Sequence, residues 1–285
     1  MNETETTLLT AEDYLRFPVV EPDHRYSYGK DSQQFGQLFL PASAPFSYLG
    51  TIILIHGGGY RAMYDLKPTG SVARALADDG FAVWNIEYRR AGNGGDFPNM
   101  FLDVAAAADH LRLLADRHSL DLDSVLSVGH SAGGHLALWL AGRHKAPPAS
   151  PLYAADSLPI AGAVALAPIA DIRFAVEKKL SSEALLLVMG GGPEDVPAHY
   201  DAASPSALLP LGRPQAHIVG TEDAAIMNNV KVYLAAARSA GDQAQLIEAP
   251  RVGHFEIVST GAPAFRTVRE TICNLHAMIK TGGGE

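Results

Sequence analysis

The segment Val128-Gly129-His130-Ser131-Ala132-Gly133-Gly134 sets a serine between glycines, after an apolar run and before a helix-like one. A hydroxyl held out of the backbone on such a sharp strand-to-helix turn is placed to attack a carbonyl carbon. Serine is a poor nucleophile at neutral pH, so the chemistry also needs a base and a group that orients it. In elbows of this kind the acid and then the histidine follow the serine along the chain, each on a loop after a later strand. Gly220-Thr221-Glu222-Asp223 and Gly253-His254-Phe255 each follow a later apolar run and supply that order. The reading is therefore Ser131 as nucleophile, His254 as general base and Asp223 as the carboxylate that orients it. Asp171 is the best alternative acid and Glu222 a weaker one. His130 is expected to point away from the nucleophile across the turn, and His135 to pack beneath it. The bland reading makes Asp223 a helix N-cap and His254 an ordinary loop residue.

A second signature is Leu54-Ile55-His56-Gly57-Gly58-Gly59-Tyr60. Glycines directly after a strand expose backbone N–H groups, and acyl transfer needs such fixed donors where the oxyanion forms. Gly58 and Gly59, with the N–H of Ala132 from the elbow, are the predicted donors, each lowering the barrier by on the order of 3 kcal/mol. A phosphate loop is the rival, but no Gly-Lys-Ser/Thr follows the glycines. Tyr60, Tyr64 and Phe97 are candidate walls of a pocket for a flat or apolar group. Arg61 could meet a substrate carboxylate or stand solvated.

Groups this far apart in the chain converge only if a scaffold brings them to one edge. Short apolar runs at 35–40, 51–55, 81–86, 125–128, 160–165, 214–219 and 245–248 read as strands. Helical patterns at 69–79, 98–118, 131–142, 224–240 and 264–279 alternate with them. That alternation predicts an α/β fold with a mostly parallel central sheet and helices on both faces. Residues 1–34 read as a polar arm with one helix near 11–17, followed after the 35–40 strand by a Pro-rich turn at 41–45. Residues 170–213 break the rhythm with helix fragments and a Gly-Gly-Gly-Pro break, and read as a short helical lid inserted over the carboxyl edge of the sheet. Only the tail at 282–284 is low in complexity.

The 285 residues, 47% apolar and 19% charged, suit one soluble domain spanning 1–285 with an ample core. The net charge of −9 and the lack of long Lys/Arg runs argue against a nucleic-acid partner. No apolar run approaches the ~18–20 residues of a membrane span, and the polar N-terminus is unlike a secretory leader. A cytoplasmic location is expected. The single cysteine, Cys273, excludes an intrachain disulfide and reads as a core filler. His-Glu-x-x-His, paired cysteines and a dinucleotide fingerprint are all absent, so no metal or other cofactor is expected. The expected partner is a small ester or amide substrate, and a homodimer is the assembly left open.

Taken together, the chain resembles an α/β-hydrolase of the kynurenine formamidase and hormone-sensitive-lipase-like esterase kind over nearly its whole length. His56-Gly57-Gly58-Gly59-Tyr60 resembles the formamidases' His-Gly-Gly-x-Trp loop, with Tyr60 in place of tryptophan. Gly129 to Leu136 is similar to their elbow, and His254-Phe255-Glu256 to their His-Phe-Asp segment. Tyr28-Gly29 with Gln34 and Pro41, and Glu87-Tyr88-Arg89-Arg90, resemble further stretches. Asn93 to Phe97 departs from the common acidic, Pro-rich loop. The resemblance implies a cofactor-independent serine hydrolase of small esters or aryl formamides. A lactonase or other acyl hydrolase is the alternative on the same triad, and a non-catalytic binding module the alternative of another class. Whatever the substrate, turnover is expected to fall as pH drops through the ordinary imidazole range near ~6–7, because the base must be neutral.

Overall fold

A buried strand must pair every backbone N–H and C=O, and short β-branched runs do so side by side. In the computed structural model, which describes residues 8–42 and 48–282, eight strands form one sheet. They are β1 (His24–Ser27), β2 (Phe35–Phe39), β3 (Thr51–Ile55), β4 (Ala82–Ile86), β5 (Leu126–His130), β6 (Gly162–Leu166), β7 (Gln215–Gly220) and β8 (Ala244–Ala249), in spatial order β1-β2-β4-β3-β5-β6-β7-β8. The β1–β2 and β2–β4 pairs are antiparallel, and every pair from β4–β3 to β7–β8 is parallel.

Every residue of β3, β4, β5, β6 and β7 is buried. Parallel strands reach that state only with helices on both faces. The helices are α1 (Ala11–Leu15), α2 (Gly70–Asp78), α3 (Asn99–Asp109), α4 (Leu111–His118), α5 (Ala132–Gly142), α6 (Ile172–Glu177), α7 (Ser182–Met189), α8 (Pro197–Ala203), α9 (Ala224–Ser239) and α10 (Ala264–Gly282). All residues of α5 are buried, which is why its sequence is apolar all round. The registers Ile55↔Gly129 and Gly220↔Ala249 align the carboxyl ends of β3 with β5 and of β7 with β8. The loops carrying Gly58, Ser131, Asp223 and His254 therefore leave the sheet at its carboxyl edge, where open α/β sheets bind ligands.

Several expectations shift. The helix read at 98–118 divides at His110, whose own backbone stays helical at φ −62°, ψ −22°. The strand read at 160–165 runs Gly162–Leu166. The polar arm contains β1, too short and exposed to show an alternation, as well as α1. Residues 43–45 of the Pro-rich turn and 283–284 of the tail lie outside the described residues. Segment 170–213 holds α6, α7 and α8 and is pinned to α5: the Nε2–H of His135 donates to the Ala203 carbonyl at 2.9 Å, and the Trp139 indole N–H to the Ala202 carbonyl at 3.0 Å. No helix among the described residues is long and apolar enough to cross a membrane.

Candidate active site

Strand β5 ends at His130 and α5 begins at Ala132, so Ser131 alone makes the corner, with φ 56° and ψ −118°. A non-glycine residue so placed costs ~1–3 kcal/mol and persists only when its surroundings hold it. They do. The Ser131 N–H donates to the Leu166 carbonyl at 2.8 Å, and the Ser131 carbonyl accepts from the N–H groups of Gly134 at 3.0 Å and Ile169 at 3.2 Å. The glycine after the elbow is fixed by crowding: a Cβ on Gly133 would stand 2.2 Å from the Ile55 carbonyl oxygen. Ser131 is 7% exposed.

His254 and Asp223, from the loops after β8 and β7, meet. The Nδ1–H of His254 donates to Oδ2 of Asp223 at 2.5 Å, which leaves Nε2 as the nitrogen free to take a proton. Asp223 stands at the N-cap position of α9, yet its side chain makes no capping bond. The rival acids are engaged elsewhere. Asp171 caps α6, accepting from the Phe174 N–H at 2.9 Å, and accepts the Ser206 hydroxyl at 2.8 Å. Glu222 is exposed and accepts the Thr221 hydroxyl at 3.1 Å.

Ser131, His254, Gly58 and Gly59 line one cavity of about 160 Å³. That is below the ~300–1,000 Å³ of pockets for drug-sized ligands and suits a short acyl group. No Ser131–His254 hydrogen bond is closed in this structure; in free enzymes such bonds are commonly long and tighten with substrate. Gly58 and Gly59 have φ of 120° and 58°, a backbone path that glycine alone follows without strain, and it turns the loop along the cavity. Ala132, fully buried, is the first residue of α5, so its N–H has no partner within the helix. A larger cavity, about 430 Å³, lies between β8 and α10, but it holds none of the residues with triad chemistry.

The pocket walls differ from expectation. Tyr64 does line the cavity. Tyr60 does not: at φ 63° its ring turns inward, is 1% exposed, and its hydroxyl donates to Nδ1 of His135 at 3.1 Å. Phe97 stacks on His199, ring centroids 3.9 Å apart, and is not a wall either. In their place stand Tyr14 from α1 and Phe255, stacked on each other at 5.3 Å. His130 also lines the cavity rather than pointing away. Its ring lies 4.7 Å from that of His254, and its Nε2–H donates to the His254 carbonyl at 2.9 Å. The loop carrying His254 is thus held by the residue next to Ser131. Arg61 and Ser181 complete the wall.

Below the glycine loop at 57–59 lies a charged network that the sequence showed only as the Glu87-to-Arg90 resemblance. Nε2 of His56 is 3.0 Å from Glu87 Oε1, Arg90 pairs with the same carboxylate, and His56 stacks on Tyr88 at 4.5 Å. Burial penalises the Glu87 charge, but the imidazole of His56 and the Arg90 guanidinium outweigh it and hold the carboxyl below its ordinary range.

Three other histidines are held neutral by burial. His135 is pushed down to about 4 and His217 to about 3, and His130 falls well below the ordinary imidazole value through burial and the neighbouring His254. The unfolded chain takes up these protons first, so stability is complete above about pH 6.5 and is lost as pH falls toward those folded values. At pH 5 His135 and His217 each remove on the order of 2 kcal/mol, against a typical total of ~5–15 kcal/mol. A markedly lower denaturation midpoint at pH 5 than at pH 7.5 is expected, and His217→Leu should flatten part of that slope. An unchanged midpoint would contradict the neutral burial of these rings.

Among the described residues, no group of three or more His, Cys, Asp or Glu is placed to hold a metal ion. The model of the BD-FAE family matches residues 37–237, which takes in Gly58, Ser131 and Asp223 and stops short of His254. No curated protein matches the chain. Among solved structures, esterase B from Lactobacillus rhamnosis, in a tributyrin phosphonate-inhibited form, is 23% identical over 95% of this chain and 91% of its own, with a TM-score of 0.80. A truncated carbohydrate esterase from gut microbiota is 20% identical over 90% of this chain and 97% of its own, with a TM-score of 0.74. Esterase 2 from Thermogutta terrifontis, phosphoramylated by tabun, is 20% identical over 91% of this chain and 94% of its own, with a TM-score of 0.70. At these identities the likeness shows the fold, which is that of the α/β-hydrolases.

Proposed function

The chain belongs to the BD-FAE family, and on that footing we propose that it is a serine hydrolase cleaving small carboxylic esters through an acyl-enzyme on Ser131. The observation that carries this reading is the His254–Asp223 pair opening onto the same cavity as the strained Ser131 corner. The neighbours' names, esterases with phosphorus inhibitors in two cases, lend support.

In the proposed sequence Oγ of Ser131 attacks the ester carbonyl carbon while Nε2 of His254 takes the hydroxyl proton. The new oxyanion accepts hydrogen bonds from the N–H groups of Gly58, Gly59 and Ala132. Asp223 stays ionised and stabilises the imidazolium through its bond to Nδ1. As the tetrahedral adduct collapses, the C–O bond to the alcohol breaks and His254 protonates the departing oxygen. Water then attacks the acyl carbonyl, again giving its proton to Nε2, and Ser131 leaves with that proton restored.

Aryl formamides and lactones present the same carbonyl chemistry to the same groups. The small cavity favours short-chain esters. Rates on naphthyl acetate, N-formylkynurenine and a simple lactone, measured side by side, test the choice. The expected order puts the acetate first in kcat/KM by more than about tenfold. A formamide or lactone equal to it would replace the ester reading, and no turnover of any would remove it.

A further inference from the structure

We propose that Arg61 and Ser181 form an anion-recognising wall of this cavity, so that the preferred esters carry a carboxylate on a part of the substrate that does not react. The proposal rests on the reading of the cavity as an ester-cleaving site and names its substrate class.

Both residues line the cavity beside Ser131 and His254. Both also converge on one point of the oxyanion loop: a Cβ on Gly59 would stand 3.3 Å from Ser181 Oγ and 3.7 Å from Arg61 Nη1. A donor hydroxyl and a guanidinium aimed at the same space are matched to a carboxylate. The root of Arg61 is fixed. Its N–H donates to the Gly58 carbonyl at 3.1 Å, and it bridges to Ala91, whose carbonyl accepts from the Ala62 N–H at 3.0 Å. Where the charge sits is therefore tied to where the oxyanion forms.

Ser181 is placed by a costly turn. Lys179 and Ser181 are both left-handed, at φ 59° and 49°, and neither is glycine. Ser181 stands at the N-cap position of α7, yet its hydroxyl makes no capping bond, so the turn delivers it to the cavity instead.

The nearby acids leave the Arg61 charge available. Glu183 is 3.8 Å away with its side chain 90% exposed, a geometry that binds weakly. Asp65 pairs with Lys67 at 2.9 Å, and Asp223 with His254. The other walls include the aromatic rings of Tyr14, Tyr64 and Phe255, and the Arg61 side chain, 46% exposed, reaches the cavity from its solvent side.

The test compares each acid with its neutral amide isostere. Naphthyl hemisuccinate is set against naphthyl succinamate for a charge on the acyl side, and 4-carboxyphenyl acetate against 4-carbamoylphenyl acetate for a charge on the alcohol side. In at least one pair the acid should be favoured in kcat/KM by roughly tenfold or more, the range of a charge-assisted bond. Arg61→Gln should bring that ratio near one, Ser181→Ala should lower it, and Glu183→Gln should raise it by removing the competing carboxylate. The same ratio should appear in Kd, by calorimetry, for the Ser131→Ala protein, which holds the ester without cleaving it. Ratios within twofold of one in both pairs, or a preference that Arg61→Gln leaves intact, would overturn the proposal. If no ester is cleaved but the calorimetric preference is present and depends on Arg61, the wall stands and the esterase reading falls.

Discussion

Ser131→Ala should lower kcat/KM on a short-chain activated ester by about 10⁵- to 10⁶-fold, the loss found when a serine nucleophile is removed from a comparable triad. The size of the effect follows from covalency. Without Oγ no acyl-enzyme forms, and the oxyanion donors and His254 are left to assist direct attack by water, which accounts for the residual rate. The fold should survive. The corner is held through the backbone of Ser131, by bonds to Leu166, Gly134 and Ile169, and the substitution touches none of them. Thermal denaturation of the variant should therefore track the wild type while turnover is lost. Activity within tenfold of wild type in a folded variant would remove the elbow from the mechanism.

Asp223→Asn should cost about 10⁴-fold in kcat, again with the protein folded. The carboxylate accepts the Nδ1–H of His254 at 2.5 Å and thereby reserves Nε2 as the proton acceptor. An asparagine amide donating to Nδ1 would place the imidazole proton on Nε2, the wrong tautomer for a base facing Ser131. It would also remove the negative charge that stabilises the imidazolium. Because Asp223 makes no cap to α9, the helix loses nothing by the exchange. Asp171→Asn provides the contrast. That carboxylate caps α6 and binds Ser206, so its loss should show mainly in stability. A larger activity loss from Asp171→Asn than from Asp223→Asn would mean that the acid has been misassigned.

The Ser131 turn, the glycine loop after β3 and the His254–Asp223 pairing were legible in the sequence because their demands are local and severe. A corner at positive φ with α5 pressed against β3 tolerates only glycine at Gly133, and the order serine, acid, histidine follows from successive strands of a parallel sheet. The pocket walls were not legible, because position near a loop does not tell which way a side chain turns. The φ of 63° at Tyr60 sends its ring under α5 to His135, and Phe97 is taken by His199. Tyr14 and β1 were lost in a polar arm whose ordering is long-range: Tyr14 packs against Phe255 and His130, both remote in the chain. His130 followed the same logic, since its partner, the His254 carbonyl, arrives from β8. The Glu87–Arg90 pair shows the limit from the other side, because the sequence offered it only as a resemblance, and its contact with His56 joins residues far apart in the chain.

The central claim is that Ser131, His254 and Asp223 act as one unit. Labelling with a fluorophosphonate probe, followed by peptide mass spectrometry, tests it most directly, because only an activated serine reacts. The wild-type protein is predicted to carry the label on Ser131 alone, and His254→Ala to be labelled at least about 100-fold more slowly. Labelling on another residue, or on Ser131 at the same rate without His254, would contradict it.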